Sequence, residues 1–368
     1  MYADTMPETP HLLIDGAQTM ANIEKMAAVA GRNAVALRPH VKTHKIPALA
    51  RAQVEAGASG ITVAKVSEAE VMADAGLDDI FIAYPLVTEP KIQHAIDLAQ
   101  RLQRLIVGVD SLEGARRLST VAGDHVLEVR LEVDTGLKRT GVAYDEAVDL
   151  AAEVAAFGNL DLSGIYTYRG YVLEDGSPTF DLRSAGLEEG GLMVSLADLM
   201  RERGIGIRDV SLGSTPTAEN AAEVDGVTEI RPGTYIFYDR MQARLGACSL
   251  EECAATVVCT VVSTPRDDLA IIDGGSKTFA TDVQPGTEPL RLEGFGHVVG
   301  HPGATLERVT EEHGMLSVSG GHDLRVGETL RIIPNHVCST VNLHDQVYIL
   351  GEDGAVEEVR VAARGKVR

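Results

Sequence analysis

Residues 34–45 read AVALRPHVKTHK, a short apolar run that breaks into Arg38, His40, Lys42, His44 and Lys45 within eight positions. The apolar run suits a buried strand, so the basic cluster is either a surface patch or a strand end that delivers an amine to chemistry. The rhythm of the next 200 residues decides the fold. Seven further β-like runs come after it: GITVAKV, DIFIAYPLV, RLIVGVD, LEVRLEVDTG, LSGIYTYRG, IRDVSLGSTPT and TEIRPGTYIFYD. Between them lie amphipathic stretches such as SEAEVMADAG and DEAVDLAAEVAAFG, apolar at three- and four-residue spacing and stopped by glycine. Eight strand–helix units over roughly 200 residues are the count and size of a (β/α)8 TIM-type barrel.

Past Gly246 the rhythm changes to strands without long helices: CAATVVCTVVSTP, DLAIIDGGS, MLSVSG, TLRIIP and DQVYIL. The expected α/β architecture is therefore a barrel over 21–245 and a C-terminal β-rich domain over 246–368. An N-terminal strand within 1–20, HLLID, is expected to join the latter.

Composition narrows the partners. The chain has 368 residues, and 33 Lys+Arg against 54 Asp+Glu give a net charge of -21. Nucleic acid and anionic membranes repel such a surface, so neither is an expected partner, and local basic residues need a local reason. No apolar run approaches the roughly 18 residues of a membrane span, and MYADTMPETP lacks a charged-then-apolar signal region, which together predict a cytoplasmic protein. Cys248, Cys253, Cys259 and Cys338 have no metal-knuckle spacing, so reduced thiols are expected.

Barrels carry chemistry at the carboxyl ends of their strands. The first strand then delivers His40, Lys42 and Thr43, with Lys45 in the following turn. The fifth delivers Asp134 and Arg139, and the sixth Tyr166, Tyr168 and Arg169. The last two deliver Ser211, Gly213, Ser214 and Thr215, and Arg231, Gly233 and Thr234. LGSTPT and RPGT are small, hydroxyl-bearing and glycine-containing: either phosphate cradles or ordinary capped turns. With a lysine on the first strand, they fit pyridoxal phosphate, which needs an amine, a phosphate cradle and a partner for its ring nitrogen. Lys42 is the expected nucleophile. His44, Lys45 and Lys65 read as solvated or helix-start charges, and Lys277, in the β-rich domain, as a contact to the barrel mouth, with the Schiff-base role its lesser alternative.

TPHLLID, RPHVKTHK, GITVAKVSEAEVMADAGLDDIFIAYPLV, VDTGLKRTG, GSTPT, EIRPGTYIFYD, DGGSKTF, EEHG and PNHVCSTVNLHD occur in one order that resembles the D-threonine aldolase and D-serine dehydratase family. This family belongs to the fold-type III, alanine racemase-like pyridoxal-phosphate enzymes. The resemblance implies Lys42 as the Schiff-base lysine, and Arg139 near the cofactor's phenolic oxygen and the substrate carboxylate. It implies Arg231 opposite the pyridine nitrogen, and Gly213, Ser214, Thr215, Gly233 and Thr234 as the phosphate cradle. His40 and Tyr166 join the cofactor-binding set. It also implies a divalent metal on His336 and Cys338; two apart on a strand, they would project to one side, and imidazole with thiolate favours zinc, with manganese the alternative. One departure stands out. Where relatives carry histidine in Tyr-x-His-x-Gly, this chain has YTYRG, residues 166–170, leaving Tyr168 or His313 of EEHG as the replacement acid–base group.

The expected function is a lyase acting on D-β-hydroxy-α-amino acids, with dehydration to a keto acid and ammonia ahead of aldol cleavage to glycine and an aldehyde. A racemase, a non-catalytic cofactor carrier, or a barrel enzyme using another phosphorylated ligand are the other readings. By analogy with fold-type III enzymes, a homodimer taking a small D-amino acid is expected.

Overall fold

The computed structural model describes residues 7–368; the MYADTM that opens the stretch read for a signal region lies outside the described residues. The chain forms two compact units. One gathers the described residues up to Ile23, Thr43–Ile46 and Thr234–Arg364, and the other Glu24–Lys42, Pro47–Gly233 and Gly365–Arg368. Among the described residues no helix is long and apolar enough to cross a membrane.

The second unit is built on parallel strands, and all eight runs read from the sequence are there. They are Ala36–Leu37, Ile61–Val63, Asp79–Pro85, Arg104–Val109, Leu127–Asp134, Leu160–Tyr166, Asp209–Leu212 and Glu229–Ile230. From Ile61–Val63 onward each pairs in parallel with the next, and the last returns to pair with the first, Glu229 opposite Ala36 and Ile230 opposite Leu37. The expected full barrel needs correction at one place. Between the first strand and Ile61–Val63 there is a single bridge, His40 to Thr62, and no continuous ladder. Proline explains the gap, because Pro39 has no N–H to offer a ladder and stops the first strand after two residues. The seam is tied instead by Ser59 N–H to the Leu37 carbonyl (2.8 Å) and Thr62 N–H to the Pro39 carbonyl (2.7 Å). Pro232 ends the last strand in the same way, and its carbonyl accepts the His40 N–H at 3.0 Å.

Strand interiors carry charge where aliphatic layers are usual. In LEVRLEVD every second residue is polar, and Arg130 and Glu132 are buried along with Val129, Leu131 and Val133. Glu229 accepts from Arg38 Nε at 2.7 Å and pairs with Arg130; Arg38 also meets Asp79 at 2.6 Å, and Arg130 meets Asp209 at 2.9 Å. Burial alone would raise the Glu229 carboxyl, but Arg130 and Arg38 outweigh it and hold the group well below the usual carboxylate range.

The other unit is antiparallel. Ala255–Arg266, Leu269–Ile272, Gly314–Val318, Ala304–Val309, Gly296–Val298 and Thr329–Pro334 pair in a ring, because Ala255–Arg266 bonds to both Leu269–Ile272 and Thr329–Pro334. The N-terminal strand His11–Asp15 runs antiparallel to Ala255–Arg266 and parallel to Gln346–Leu350, its Leu12, Leu13 and Ile14 buried.

Candidate active site

The parallel unit encloses a cavity of about 350 Å³. His40, Lys42, Arg139, Tyr166, Tyr168 and Arg231 all line it, six residues drawn from four different strand ends. Lys42 does not sit on the strand as its alternation suggested, since the strand stops at Leu37 and Lys42 lies in the 3-10 turn Val41–Thr43. Its N–H points to His40 Nδ1 at 3.4 Å, and its ammonium stands 5.3 Å from the centre of the Tyr168 ring. The Arg139 guanidinium lies 5.2 Å from the same ring, so Tyr168 is flanked by two cations. Arg231 is buried on the cavity floor, with Nε donating to Ser211 Oγ at 2.7 Å and Nη2 to the Thr167 carbonyl. Ser211 Oγ in turn donates to Glu229 at 2.7 Å, which ties the site to the charge net below it.

Three groups that carry this arrangement were not singled out from sequence. Glu132 is the carboxylate among the lining residues; it accepts from Thr140 Oγ1 at 2.8 Å and Tyr166 OH at 3.1 Å, and burial raises it against those bonds and the nearby Arg139. Glu229 fixes Ser211. Lys65, read as a solvated or helix-start charge, does precede a helix, Val66–Asp74, but it lines the cavity. The two-residue alternation of LEVRLEVD was the available signal for Glu132. His44 and Lys45, expected to be solvated, are both buried: His44 packs edge-on to Phe237, and Lys45 adopts a left-handed φ of 57°.

The expected phosphate loop follows Asp209–Leu212. Gly213 has φ +81°, and a Cβ there would stand 3.2 Å from the Ala218 backbone, so the turn requires glycine. Ser214 is buried, its N–H and Oγ both bonded to Thr217 Oγ1 (3.2 and 2.9 Å). Beneath it the wholly buried Glu189 accepts from Thr217 at 3.2 Å, and burial pushes its carboxyl up to about 7 against the pull of Arg169. The Arg231 N–H bonds the Leu212 carbonyl at 3.0 Å, which sets the GSTPT and RPGT turns side by side. Gly213, Ser214, Thr215 and Gly233 all lie in these turns, and none of them is among the residues lining the cavity. A cation-rich cavity that holds an amine fits pyridoxal phosphate, whose phosphate, phenolate and substrate carboxylate are all anionic.

In the β unit, the strand Thr329–Pro334 ends at the first residue of PNHVC, so His336 and Cys338 are not on a strand. His336 precedes the short helix Val337–Val341, and Cys338 lies in its first turn. Buried Asp239 causes this by accepting the Val337 N–H at 3.0 Å, an extra acceptor that the local sequence does not announce. The imidazole and sulfur still meet. His336 Nδ1 bonds Asp282 Oδ2 at 2.5 Å, and Ser339 Oγ donates to the same oxygen at 3.0 Å. Cys338 Sγ lies 3.2 Å from Thr43 Oγ1 and 3.6 Å from Thr234 Oγ1, which places Thr234, expected in the phosphate cradle, against this sulfur. Burial alone would lower His336, but Cys338 and Asp282 raise it to about 11; burial would raise Cys338, but His336 and Thr43 lower it. Imidazole with a thiolate-prone sulfur suits zinc, and among the described residues no cluster of three or more such ligands exists. His313 is exposed in the turn between Ala304–Val309 and Gly314–Val318. Lys277 is exposed and paired with Glu312 at 2.5 Å.

Residues 14–241 match the model of the alanine racemase N-terminal domain, and 254–350 that of a putative serine dehydratase domain. The chain is 34% identical over 368 residues to the D-threo-3-hydroxyaspartate dehydratase of Delftia sp., covering 95% of this chain and 96% of that one. The chain belongs to the D-threonine aldolase and D-serine dehydratase family. Within this family it is also 34% identical to the D-threonine aldolase of Arthrobacter sp., over 97% of this chain and 93% of the relative. The solved Delftia dehydratase superposes with a TM-score of 0.88 at 32% identity, covering 96% of this chain and 97% of that one. A histidine-to-alanine variant of a D-threo-3-hydroxyaspartate dehydratase, and a cysteine-to-alanine variant in the metal-free form, have also been solved. The fold is thus alanine racemase-like, a curved parallel sheet and a separate antiparallel barrel, and the protein, like these relatives, is a lyase.

Proposed function

We propose that this chain is a pyridoxal-phosphate- and metal-dependent lyase of D-β-hydroxy-α-amino acids, and that it eliminates the β-hydroxyl to give a keto acid and ammonia. The carrying observation is the pairing of His336 and Cys338, one imidazole and one sulfur, with Asp282 on Nδ1 of the ring. The two substituted positions in the solved D-threo-3-hydroxyaspartate dehydratase variants, a histidine and a cysteine, lie two apart, the spacing seen here.

Bound pyridoxal phosphate supplies an electron sink for charge developing at Cα, and a zinc or manganese ion on His336 and Cys338 would supply a Lewis acid for the β-oxygen. The chain's own residues do the rest. Lys42 holds the cofactor through its amine and, once displaced by substrate, takes the proton from Cα. Arg139 offers a planar fork to the substrate carboxylate. Arg231, fixed by Ser211 and the Thr167 carbonyl, presents a cation that does not readily surrender a proton. Tyr168, between the Lys42 ammonium and the Arg139 guanidinium, offers a phenolic O–H that can donate to a departing hydroxide, whereas aldol cleavage needs a base for the β-hydroxyl. That contrast favours dehydration over aldol cleavage. Gly213, Ser214, Thr215 and Gly233 hold the phosphate, and a homodimer is the working assembly.

D-Threonine incubated with metal-analysed enzyme, with and without chelator, separates the readings. Dehydration gives chelator-sensitive 2-oxobutanoate and ammonia; glycine with acetaldehyde would instead establish the aldolase, and racemised threonine without metal dependence would overturn both.

A further inference from the structure

Arg139 and Tyr168 both stand past the ends of their strands, Leu127–Asp134 and Leu160–Tyr166, and because those strands pair in parallel the two loops leave side by side. The Arg139 loop is fixed at its roots. Asp134 Oδ1 accepts the Gly136 and Lys138 N–H groups at 2.9 and 3.0 Å, and Thr140 Oγ1 donates to Glu132. Its crown rests on the neighbouring loop. Lys138 Nζ donates to the Asp175 carbonyl at 3.0 Å, and at Gly136, with φ +130°, a Cβ would collide with the Leu173 carbonyl oxygen, so the loops approach there as only glycine allows.

The neighbouring loop is a small hairpin, with the Leu173 N–H on the Ser177 carbonyl and the Thr179 N–H on the Tyr171 carbonyl, both at 2.8 Å. None of residues 171–180 is buried, so apolar packing does not hold it in place. Two charged side chains do. Buried Arg169 donates from Nε to the Val172 carbonyl at 2.5 Å and pairs through Nη2 with Glu188. The same Glu188 oxygen accepts the Glu174 N–H at 2.9 Å. Glu188 stands on the long helix Leu182–Glu202 and does not line the cavity. One carboxylate therefore reaches two groups that do: Tyr168 through the adjoining Arg169, and Arg139 through the hairpin and Lys138.

We propose, resting on the lyase reading, that Glu188 is a positioning residue: by clamping Arg169 and the hairpin it sets where Arg139 presents its guanidinium to the anionic end of the substrate. It touches no reacting atom. Paired hydrogen bonds from a planar fork to a carboxylate are sensitive to geometry, and a loop that rocks by about an ångström loses them.

The test joins amide hydrogen exchange with kinetics, on the holoenzyme and on Glu188→Gln, Glu188→Asp and Lys138→Met. Exchange is expected to quicken in Glu188→Gln within 134–141 as well as within 171–179, and in Lys138→Met within 134–141. For D-threonine, kcat/KM is expected to fall about 10-fold in Glu188→Gln, mainly through KM, with partial recovery in Glu188→Asp and a smaller fall in Lys138→Met. In an Arg139→Lys background the same Glu188→Gln change should cost less than about 2-fold, because the fork it positions is gone. Quickened exchange confined to 171–179 overturns the proposal, as does a full loss that persists beside Arg139→Lys; either would make Glu188 a support of the hairpin alone. Should Glu188→Gln fail to fold, Lys138→Met, at an exposed site, carries the same comparison. A native enzyme that turns over neither D-threonine nor D-serine removes the lyase reading, and the exchange of 134–141 then still decides whether Glu188 sets the Arg139 loop.

Discussion

The cavity around Lys42 and the pair His336–Cys338 are built by opposite means. The first draws its groups from many strand ends and rests on a buried charge net, so its geometry depends on the register of the whole parallel sheet. The second is a two-residue motif on the first turn of a five-residue helix, shaped by a few hydrogen bonds from Asp239, Asp282, Ser339 and Thr43. A change that disturbs the strand register or the charge net is therefore expected to cost the cavity its chemistry together with the fold, whereas the pair can lose its ligand while the protein stays intact.

The largest effects separate the two regions directly. Lys42→Ala is expected to lower turnover by about 10²- to 10⁴-fold and to remove the cofactor's visible absorbance, with metal content unchanged. Cys338→Ala should do the reverse, leaving that absorbance and reducing metal well below one per chain by elemental analysis. Coincident loss of both in either variant would show that the regions are not independent.

Next comes the net under the cavity. Glu229→Gln leaves Arg38 and Arg130 buried without their shared carboxylate, which should cost about 3–5 kcal/mol in urea unfolding. The folded carboxyl of Glu229 is depressed, so its stabilisation is complete above the unfolded value of about 4.3 and is lost as pH falls below it. Glu229→Gln should therefore flatten the acid limb of a stability–pH profile; an unchanged limb would mean that other carboxylates govern it.

The same difference in construction decides how legible each region is in the sequence. The strand ends could be read because apolar runs, glycine stops and the RPH and RPG prolines mark where each strand finishes, and the cavity lining His40, Lys42, Arg139, Tyr166, Tyr168 and Arg231 came from those marks. The partners beneath were not readable: Ser211 meets Glu229, and Arg38 meets Asp79, only through strand register, which a single sequence does not state. In the β unit, the short strands Gly296–Val298 and Ala304–Val309 escaped because the first is three residues long and the second carries a bulge between Leu306 and Arg308. His336 and Cys338 came from resemblance, and their placement on a strand was wrong because Asp239, remote in the chain, caps the turn.

The smallest effect is the most diagnostic for the pair. Asp282 bonds His336 Nδ1, which fixes the ring and leaves Nε2 for a ligand, and it is about half exposed, so replacing it does not hollow a core. Asp282→Asn keeps the shape but removes the charge. A carboxylate behind a metal-binding imidazole raises the basicity of the ring and holds its tautomer, and losing it typically lowers metal affinity about 10- to 100-fold. Competition against a zinc chelator indicator should show that loss, while urea unfolding and the cofactor absorbance stay as in the native chain. If affinity is unchanged, the imidazole is oriented by Asp239 and the helix start alone, and the Asp282 bond is only a surface ion pair, worth little in water. If the cofactor absorbance shifts instead, the independence of the two regions fails at its most exposed link.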